Sequence, residues 1–249
     1  MNKKLSSLIG IPLSLGLFPR AVFRPPTTQR ITPSNPLSCV PFLPSSFSLL
    51  SWNIQFCGSR KYHFFYDGGP DVHVSKQDVE ETMNNIGEFL HAQKPDIIAL
   101  QEINDGNAFL QLANSLPAYE FVSSGSGLAL ATRRDVVEIL NQSTLFPSSG
   151  YEFAWRYPFK VDLQWGCGLS STTLSVIVVH LKAGSTAEDA SRRFESCEEL
   201  EGYVVSHLND NIIILGDYND EITDPESNNS LWPLVNSNSV EFTTESIAN

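Results

Sequence analysis

The sequence is poor in basic residues, and it has no apolar run long enough to cross a membrane comfortably. Its 249 residues include 16 Lys and Arg against 28 Asp and Glu, which gives a net charge of −12 at pH 7. Five basic and no acidic side chains fall within residues 1–45, so the remaining residues carry −17. A domain this acidic lacks the basic surface of a tight, nonspecific nucleic-acid binder. A nucleic-acid substrate is disfavoured but not excluded, because a bound metal ion can screen a site locally.

Cysteine is also scarce, and its spacing excludes the common cysteine-based sites. The four cysteines are Cys39, Cys57, Cys167 and Cys197, and no two of them have the CxxC spacing of a metal site. A chain of this length can bury a sizeable core and does not need a disulfide framework. We therefore expect isolated buried thiols, although an exported protein could form one disulfide bond.

The first 45 residues differ in composition from the rest of the chain. A short basic segment precedes an apolar run from Leu5 to Phe18, which Pro12 interrupts, and no clean cleavage site follows. This pattern fits either an export signal or the leader of a cytoplasmic protein. Residues 19–45 contain seven prolines and many Ser and Thr, which predicts an extended linker. We therefore divide the chain into a leader and linker (1–45) and one domain (46–249).

In the domain, continuous apolar runs alternate with segments in which apolar residues recur at helical spacing. Buried strands are predicted at Phe47–Ile54, Ile97–Leu100, Thr172–His180 and Ile212–Leu215. Long helices are predicted from the N-cap Ser75, which Asp78 follows, to about Gln93, and from Ala187 to Leu208. Weaker patterns predict a helix at 108–116 and strands at 120–123, 128–132, 136–140 and 153–161, with a long loop at 57–75. The alternation indicates a mixed α/β layered domain.

Each of the four buried strands is followed by polar residues. These are Asn53 at the end of the first strand, Glu102 after the second, His180 at the end of the third, and Asp217 and Asn219 after the fourth. Taken singly, each has an ordinary explanation, such as a turn cap, a solvated carboxylate, a structural histidine or an Asx turn. Together they suggest a functional site at one edge of a sheet, since scaffolds place function at strand ends and loops.

Four segments in this order resemble the signature segments of the endonuclease/exonuclease/phosphatase superfamily. They are LLSWNIQ, IIALQE, VIVVHLKAG and ILGDYND, and the resemblance runs from about Ser46 to Asp224. The segment FAWRYP also resembles an Arg-x-Pro segment of that family, which marks Arg156 as a substrate-binding candidate. The resemblance implies an α/β DNase I-like four-layer sandwich, in which two packed mixed β-sheets are flanked by helices. It also implies hydrolysis of a phosphate ester with Mg²⁺ or Mn²⁺.

The resemblance assigns a role to each strand-end residue. Glu102 would be the principal metal ligand, with Asn53 beside it. His180 would contact the scissile phosphate, Asp217 would activate the attacking water, and Asn219 would help to hold the phosphate. The chemistry is consistent, since Mg²⁺ prefers oxygen ligands and keeps several waters, and a carboxylate can accept a proton from water. The substrate stays open between nucleic acid, a sphingomyelin-like phospholipid head group and an inositol phosphate.

The C-terminal part departs from the family pattern. That pattern closes with a strand bearing an Asp and a Ser-Asp-His segment, whereas this sequence has no Asp-His pair and no histidine after His207. The resemblance therefore implies that the last strands are missing, which would leave a sheet edge unpaired. Loss of a positioned acid–base or phosphate-contacting group costs about two to four powers of ten in rate. The alternative function is thus an inactive fragment or a binding module that keeps the fold.

The long loop after the first strand offers further candidates. It contains two histidines and two aspartates, namely His63, Asp67, Asp71 and His73. In the related fold this loop lies near the active-site face, so these residues could line the pocket. The other interpretation is an exposed loop with scattered polar side chains.

Overall fold

The computed structural model describes residues 29–32, 46–57, 61–62, 72–73, 75–166 and 171–244. The strands are β1 (Gln29–Ile31), β2 (Leu49–Cys57), β3 (Lys61–Tyr62), β4 (Val72–His73), β5 (Ile97–Ile103), β6 (Tyr119–Ser123), β7 (Leu128–Arg133), β8 (Val137–Thr144), β9 (Phe159–Trp165), β10 (Thr172–His180) and β11 (Ile212–Asp217). The helices are α1 (Lys76–Gln93), α2 (Gly106–Ser115), α3 (Ala187–Ser206) and α4 (Trp232–Val235). In the part of the chain so described, no helix is both long and apolar enough to span a membrane.

Two mixed sheets form the centre of the molecule. The first sheet has the strand order β1-β6-β7-β5-β2, and the second has the order β11-β10-β9-β8. Within them β2 is parallel to β5 and β10 is parallel to β11, whereas the other neighbours are antiparallel. The strands β3 and β4 pair separately with each other. The predicted pair of mixed sheets is therefore confirmed.

Three apolar layers hold the sheets and helices together. One lies between the first sheet and helices α1 and α2, a second lies between the two sheets, and a third lies between the second sheet and helices α3 and α4. Strand alternation explains the division, because successive side chains point to opposite faces. In β10, Val176 and Val178 pack between the sheets, whereas Ile177 and Val179 pack against the helices. The order is therefore helices, sheet, sheet, helices, as predicted for a four-layer sandwich.

The long helices begin at side chains that cap them. Ser75 accepts a hydrogen bond from the amide of Asp78, whose carboxylate accepts one from the amide of Ser75, and Thr186 and Asp189 repeat this arrangement at α3. Such capping boxes satisfy amides that have no partner in the first helical turn. Helix α1 ends at Gln93, as predicted, because Pro95 cannot continue it.

The structure corrects three predictions about the less regular segments. Residues Gln29–Ile31 lie in the segment expected to be a linker, yet they pair with β6, so ordered structure begins before Ser46. The strand predicted from 153 to 161 begins only at Phe159, because Ala154 and Trp155 have φ values of 51° and 62°, outside the sheet region. The loop predicted at 57–75 contains the paired strands β3 and β4.

The cysteines are described only in part. Cys197 is a free, buried thiol on α3, as expected for an isolated cysteine, and burial raises its pKa. Cys39 and Cys167 lie outside the described residues, and so does the side chain of Cys57. The prediction of isolated thiols therefore holds for Cys197 and stays a prediction for the other three.

Gly216 sets the close approach of β11 to β10, which makes it a sensitive position for stability. Its φ is 155°, and a Cβ at this residue would lie 2.0 Å from the carbonyl oxygen of Val179. We expect Gly216→Ala to lower the free energy of unfolding by about 3 kcal/mol or more, through backbone strain and overpacking. Gly202→Ala on α3 is the control, because a Cβ there meets nothing within 4 Å. Similar denaturation midpoints for both variants would contradict the expectation.

Candidate active site

The polar strand ends converge at one end of the sandwich. His180 and Asp217 are the last residues of β10 and β11, and Asn53 lies in the middle of β2, where its regular pairing with β5 ends. All three lie on the faces that the two sheets turn toward each other. Alternation places them there, since Ile213 and Leu215 precede Asp217 on the inner face, and Val178 precedes His180. His180 and Asp217 are also direct partners in the parallel pairing of their strands.

Glu102 joins this group through a break in the alternation of β5. Ile98 and Leu100 face helices α1 and α2, and an unbroken strand would place Glu102 on that same face. Glu102 instead has a φ of 62°, and Ile103 rather than Glu102 packs toward the helices. The β2–β5 register shifts at the same place, between Asn53 and Cys57. A left-handed residue that is not glycine is strained, and such strain concentrates at functional sites.

Asn53 links the two carboxylates of the site across the sheets. Its Nδ2 donates to Oε1 of Glu102 at 3.0 Å and to Oδ2 of Asp217 at 2.8 Å. Its Oδ1 accepts from the backbone amide of Gln55 at 3.0 Å, which fixes the orientation of the amide. Glu102 from the first sheet and Asp217 from the second are therefore held against one amide group.

His180 faces the same two carboxylates from a buried position. Its side chain is only 6% exposed, and its Nε2 lies 3.8 Å from Oε1 of Glu102 and 3.9 Å from Oδ2 of Asp217. Burial lowers the pKa of His180 below its usual value; the positive charge of Arg156 adds to this effect, while Asp217 and Glu102 oppose it. The lowered pKa favours the neutral form of the imidazole. Among the described residues, its Nδ1 has no hydrogen-bond partner.

Arg156 and Asn219 contact the backbone that follows β10. Arg156 donates from Nε to the carbonyl oxygen of His180 at 2.9 Å and from Nη2 to that of Leu181. Asn219 donates from Nδ2 to the same Leu181 oxygen at 3.1 Å, and its own amide donates to Oδ1 of Asp217. Both side chains thus support His180 and Asp217, and the Asx turn considered for Asp217 is present. Direct binding of substrate by Arg156 or phosphate by Asn219 stays a prediction.

The contact between Arg156 and His180 has a measurable electrostatic consequence. We expect Arg156→Gln to raise the pKa of His180, because removing a nearby positive charge favours the protonated imidazole. The measurement is an NMR titration of the His180 ring protons in the presence of EDTA. Arg134→Gln serves as the control because Arg134 bonds to Pro117 rather than near His180. An unchanged or lower pKa of His180 in Arg156→Gln would contradict the expected coupling.

The donor set suits a hard cation that needs few protein ligands. Glu102 and Asp217 are 17% and 29% exposed and both accept a hydrogen bond from Asn53, so two partly exposed carboxylates lie on either side of one amide. Mg²⁺ is commonly held by one or two carboxylates and keeps several waters. Within the described residues, no group of three or more His, Cys, Asp or Glu forms a metal cage. The amide of Asn53 presents nitrogen to the carboxylates, so it would have to turn before its oxygen could act as a ligand.

An open cleft of about 1170 Å³ extends from the site along the edges of both sheets. Its lining includes Asn53, Asp217 and Asn219 at one end, and Leu49, Ile213 and Leu215 beyond them. Strand β11 forms an edge of the second sheet, β2 forms an edge of the first, and every residue of β11 is partly exposed. The site is therefore accessible from solvent on the side of these two strands.

One residue near the site was missed from the sequence. Arg193 lies on α3, is 6% exposed, and contacts both loops that follow β10 and β11. Its signal was its spacing, because Arg193, Ser196, Cys197 and Leu200 form the buried face of the helix at positions i, i+3, i+4 and i+7. The loop candidates His63, Asp67 and Asp71, and the side chain of His73, lie outside the described residues.

Comparisons with known proteins agree with this architecture. Residues 50–234 match the sequence model of the Endonuclease/Exonuclease/phosphatase family. No curated protein matches the chain in sequence. A humanized form of D. rerio TDP2 is similar in structure, with 15% identity, a TM-score of 0.53, and coverage of 78% of this chain and 72% of that one.

Two further solved structures resemble the chain to the same degree. D. rerio TDP2 in complex with a single-strand DNA product has 16% identity, a TM-score of 0.51, and coverage of 71% and 62% of the respective chains. The Bacteroides thetaiotaomicron mannosyl-6-phosphatase has 16% identity, a TM-score of 0.52, and coverage of 77% and 70%. At such low identity these likenesses show the fold alone, which is the DNase I-like sandwich predicted from the sequence.

Proposed function

The chain belongs to the endonuclease/exonuclease/phosphatase family, and from this premise we propose that it hydrolyses a phosphate ester by attack of water, assisted by Mg²⁺ or Mn²⁺. The observation that carries the proposal is the convergence of Asn53, Glu102, His180 and Asp217 between the two sheets. Asn53 and His180 each approach both carboxylates, at distances between 2.8 and 3.9 Å. A buried histidine with a lowered pKa, held beside two partly exposed carboxylates at the end of an open cleft, is typical of active sites.

The neutral imidazole of His180 is suited to contact a phosphoryl oxygen. With its proton on Nε2, the ring directs a hydrogen-bond donor into the space that the two carboxylates face. Because the ring is buried and already oriented, it can stabilise the charge that develops on the phosphoryl group without reorganising first. Arg156 and the end of β10 hold the backbone of His180 in place.

Asp217 is placed to handle the attacking water. Its Oδ2 and Oδ1 accept hydrogen bonds from Asn53 and from the amide of Asn219, which fix the carboxylate in one orientation. A fixed carboxylate can orient a water molecule and accept its proton as the new bond to phosphorus forms. The leaving alcohol or alkoxide then departs from the opposite side of the phosphorus, as in other in-line displacements.

Glu102 would hold the cation, with Asn53 beside it. When bound, the cation would supply Lewis-acid stabilisation of negative charge on the phosphoryl oxygens. Glu102 and Asp217 together bring two negative charges to the site, and a divalent ion would neutralise them. This is why a phosphate ester, itself an anion, is expected to bind only when the ion is present.

The net charge of the chain narrows the substrate class, whereas its similarity to solved structures does not. One structural neighbour is in complex with single-strand DNA and another is a mannosyl-6-phosphatase, so the fold accommodates different phosphate esters. The net charge of −12 favours a small ester or a lipid head group over long nucleic acid. We propose a phospholipid head group or an inositol phosphate as substrates to test first.

A substrate series at fixed Mg²⁺ concentration tests the proposal. It compares an activated phosphodiester, an activated phosphomonoester, sphingomyelin vesicles, an inositol phosphate and single-strand DNA, each with Mg²⁺ and with EDTA. We expect Mg²⁺-dependent hydrolysis of at least one ester and little hydrolysis of DNA. A folded protein that hydrolyses none of them would support the alternative, an inactive protein that keeps the fold.

A further inference from the structure

Helix α3 carries a buried arginine that contacts the loop after β10 and the loop after β11. Arg193 donates from Nη1 to the carbonyl oxygens of Lys182 at 3.0 Å and Gly184 at 2.9 Å, in the loop that follows His180. Its Nε contacts Oδ2 of Asp220 at 3.3 Å and Oγ of Ser230 at 2.8 Å, in the segment that follows Asp217. One guanidinium therefore spans the chain beyond β10 and the chain beyond β11.

The partners of Arg193 are themselves tied together. The hydroxyl and the amide of Ser230 both donate to Oδ2 of Asp220, and Oδ1 of Asp220 accepts from the amide of Glu221. A buried charge is costly unless it is paired and hydrogen-bonded, and here four acceptors satisfy it. The planar fork of arginine suits such a set of contacts, whereas a lysine ammonium is a single point charge.

The arrangement reaches the catalytic side chains through short stretches of backbone. Lys182 is two residues beyond His180, and Asp220 is three residues beyond Asp217 and next to Asn219. We propose that Arg193 is a positioning residue, which fixes the loop that follows His180 against the loop that follows Asp217. Its catalytic consequence rests on the proposed phosphoesterase activity, but its effect on the two loops does not.

A second anchor makes this role separable from folding. Lys182 Nζ lies 2.6 Å from Oδ1 of Asp189, which also belongs to the capping box of α3. Gly184 has a φ of 120°, and a Cβ there would lie 2.3 Å from Oδ2 of Asp189, so the loop packs tightly on the start of the helix. Loss of Arg193 should therefore loosen the link between the two loops without detaching the first loop from α3.

The test compares Arg193→Lys and Arg193→Met with the matched control Arg192→Met. Arg192 is the preceding residue of α3, and it contacts the carbonyl oxygen and ring of the exposed Tyr151 instead. Arg193→Lys keeps a positive charge near Asp220 and guards against a Met variant that fails to fold. The measurements are amide hydrogen exchange by NMR at Leu181 and Asn219, and kcat and KM for the best ester of the substrate series.

In each Arg193 variant that folds, we expect the amide hydrogens of Leu181 and Asn219 to exchange at least about 10-fold faster than in the wild type. In Arg192→Met, they should exchange at the wild-type rate. The value of kcat should fall at least about 10-fold, with KM nearly unchanged, because misplaced catalytic groups slow the chemical step. Wild-type exchange at both amides in folded Arg193→Lys would overturn the proposal, as would an unchanged kcat. If the wild type hydrolyses no ester, the proposed function fails, and the exchange rates alone decide the role of Arg193.

Discussion

Glu102→Gln is expected to reduce Mg²⁺-dependent hydrolysis by at least about 100-fold, since it removes the negative charge of the residue that we propose as the principal ligand of the cation. The substitution is nearly isosteric, so the strained backbone at residue 102 and the contact with Asn53 can persist. The remaining carboxylate, Asp217, cannot by itself hold a hard cation in the same place. The measurement is kcat over a range of Mg²⁺ concentrations, because a weakened site should also need more Mg²⁺ to reach half of its maximal rate.

The control for this variant is Glu81→Gln on the exposed side of α1. It removes the same charge from the chain at a distance from the site, and it should leave kcat and the Mg²⁺ dependence unchanged. Equal activity of Glu102→Gln and Glu81→Gln would show that Glu102 does not bind the cation. The loss of charge itself would then be irrelevant to hydrolysis.

His180→Gln is expected to lower kcat by about two to three powers of ten, because it removes the side chain that we propose as an oriented donor to the phosphoryl group. KM should change little, since the interaction is strongest when charge develops in the transition state. The alternative interpretation from the sequence, a structural histidine, is also consistent with the buried position of His180. Thermal denaturation separates these roles, since a structural histidine would affect the melting temperature and a catalytic one the rate.

His91→Gln, on the exposed surface of α1, is the matched control for His180→Gln. It should have the melting temperature and the kcat of the wild type. A His180→Gln protein that melts several degrees lower and yet keeps the wild-type kcat would assign His180 to the core. A large loss of kcat with a nearly native melting temperature would assign it to the reaction.

Much of the fold was predictable because its strands and helices carry strong local signals. Residues Ile97–Leu100 are buried on both faces, and continuous apolar strands of this kind are typical of sheets covered by other layers. Residues Ile212–Leu215 also form the predicted strand, but each of them is partly exposed because β11 lies at an edge of its sheet. The start of α1 was predicted from Ser75 and Asp78, whose side chains form the capping box. The strand Gln29–Ile31 was not predictable, since three residues carry no periodicity and only pairing with β6 makes them a strand.

The candidate site was predictable as a set of residues but not as a geometry. Asn53, Glu102, His180 and Asp217 stand at strand ends in the sequence, and the structure brings these four together. The left-handed backbone at Glu102 could not be predicted, because alternation alone would turn its side chain toward the helices. Arg193 was overlooked because an arginine in a charged helix is usually solvated, and only tertiary contacts reveal that it is buried.

The example of Arg156 shows that a sequence motif can locate a residue of the site without revealing which atoms it contacts. Its position in the sequence predicts a contact with substrate, which stays a prediction, and in the structure its guanidinium bonds to the backbone carbonyls of His180 and Leu181. The same is true of Asn219, whose side-chain amide donates to Leu181. Sequence patterns therefore located the residues of the site, and the structure shows which atoms their side chains contact.

The initial rate of ester hydrolysis, measured as Mg²⁺ is titrated into the metal-free wild-type protein, tests the central claim most directly. We expect a rate that is near background in EDTA, rises with Mg²⁺ to a plateau, and returns to background when EDTA is restored. A rate that is the same in EDTA and in Mg²⁺, in a protein shown to be folded, would contradict the claim that this site hydrolyses phosphate esters with a divalent cation. A complete lack of hydrolysis at saturating Mg²⁺ across the substrate series would contradict it equally.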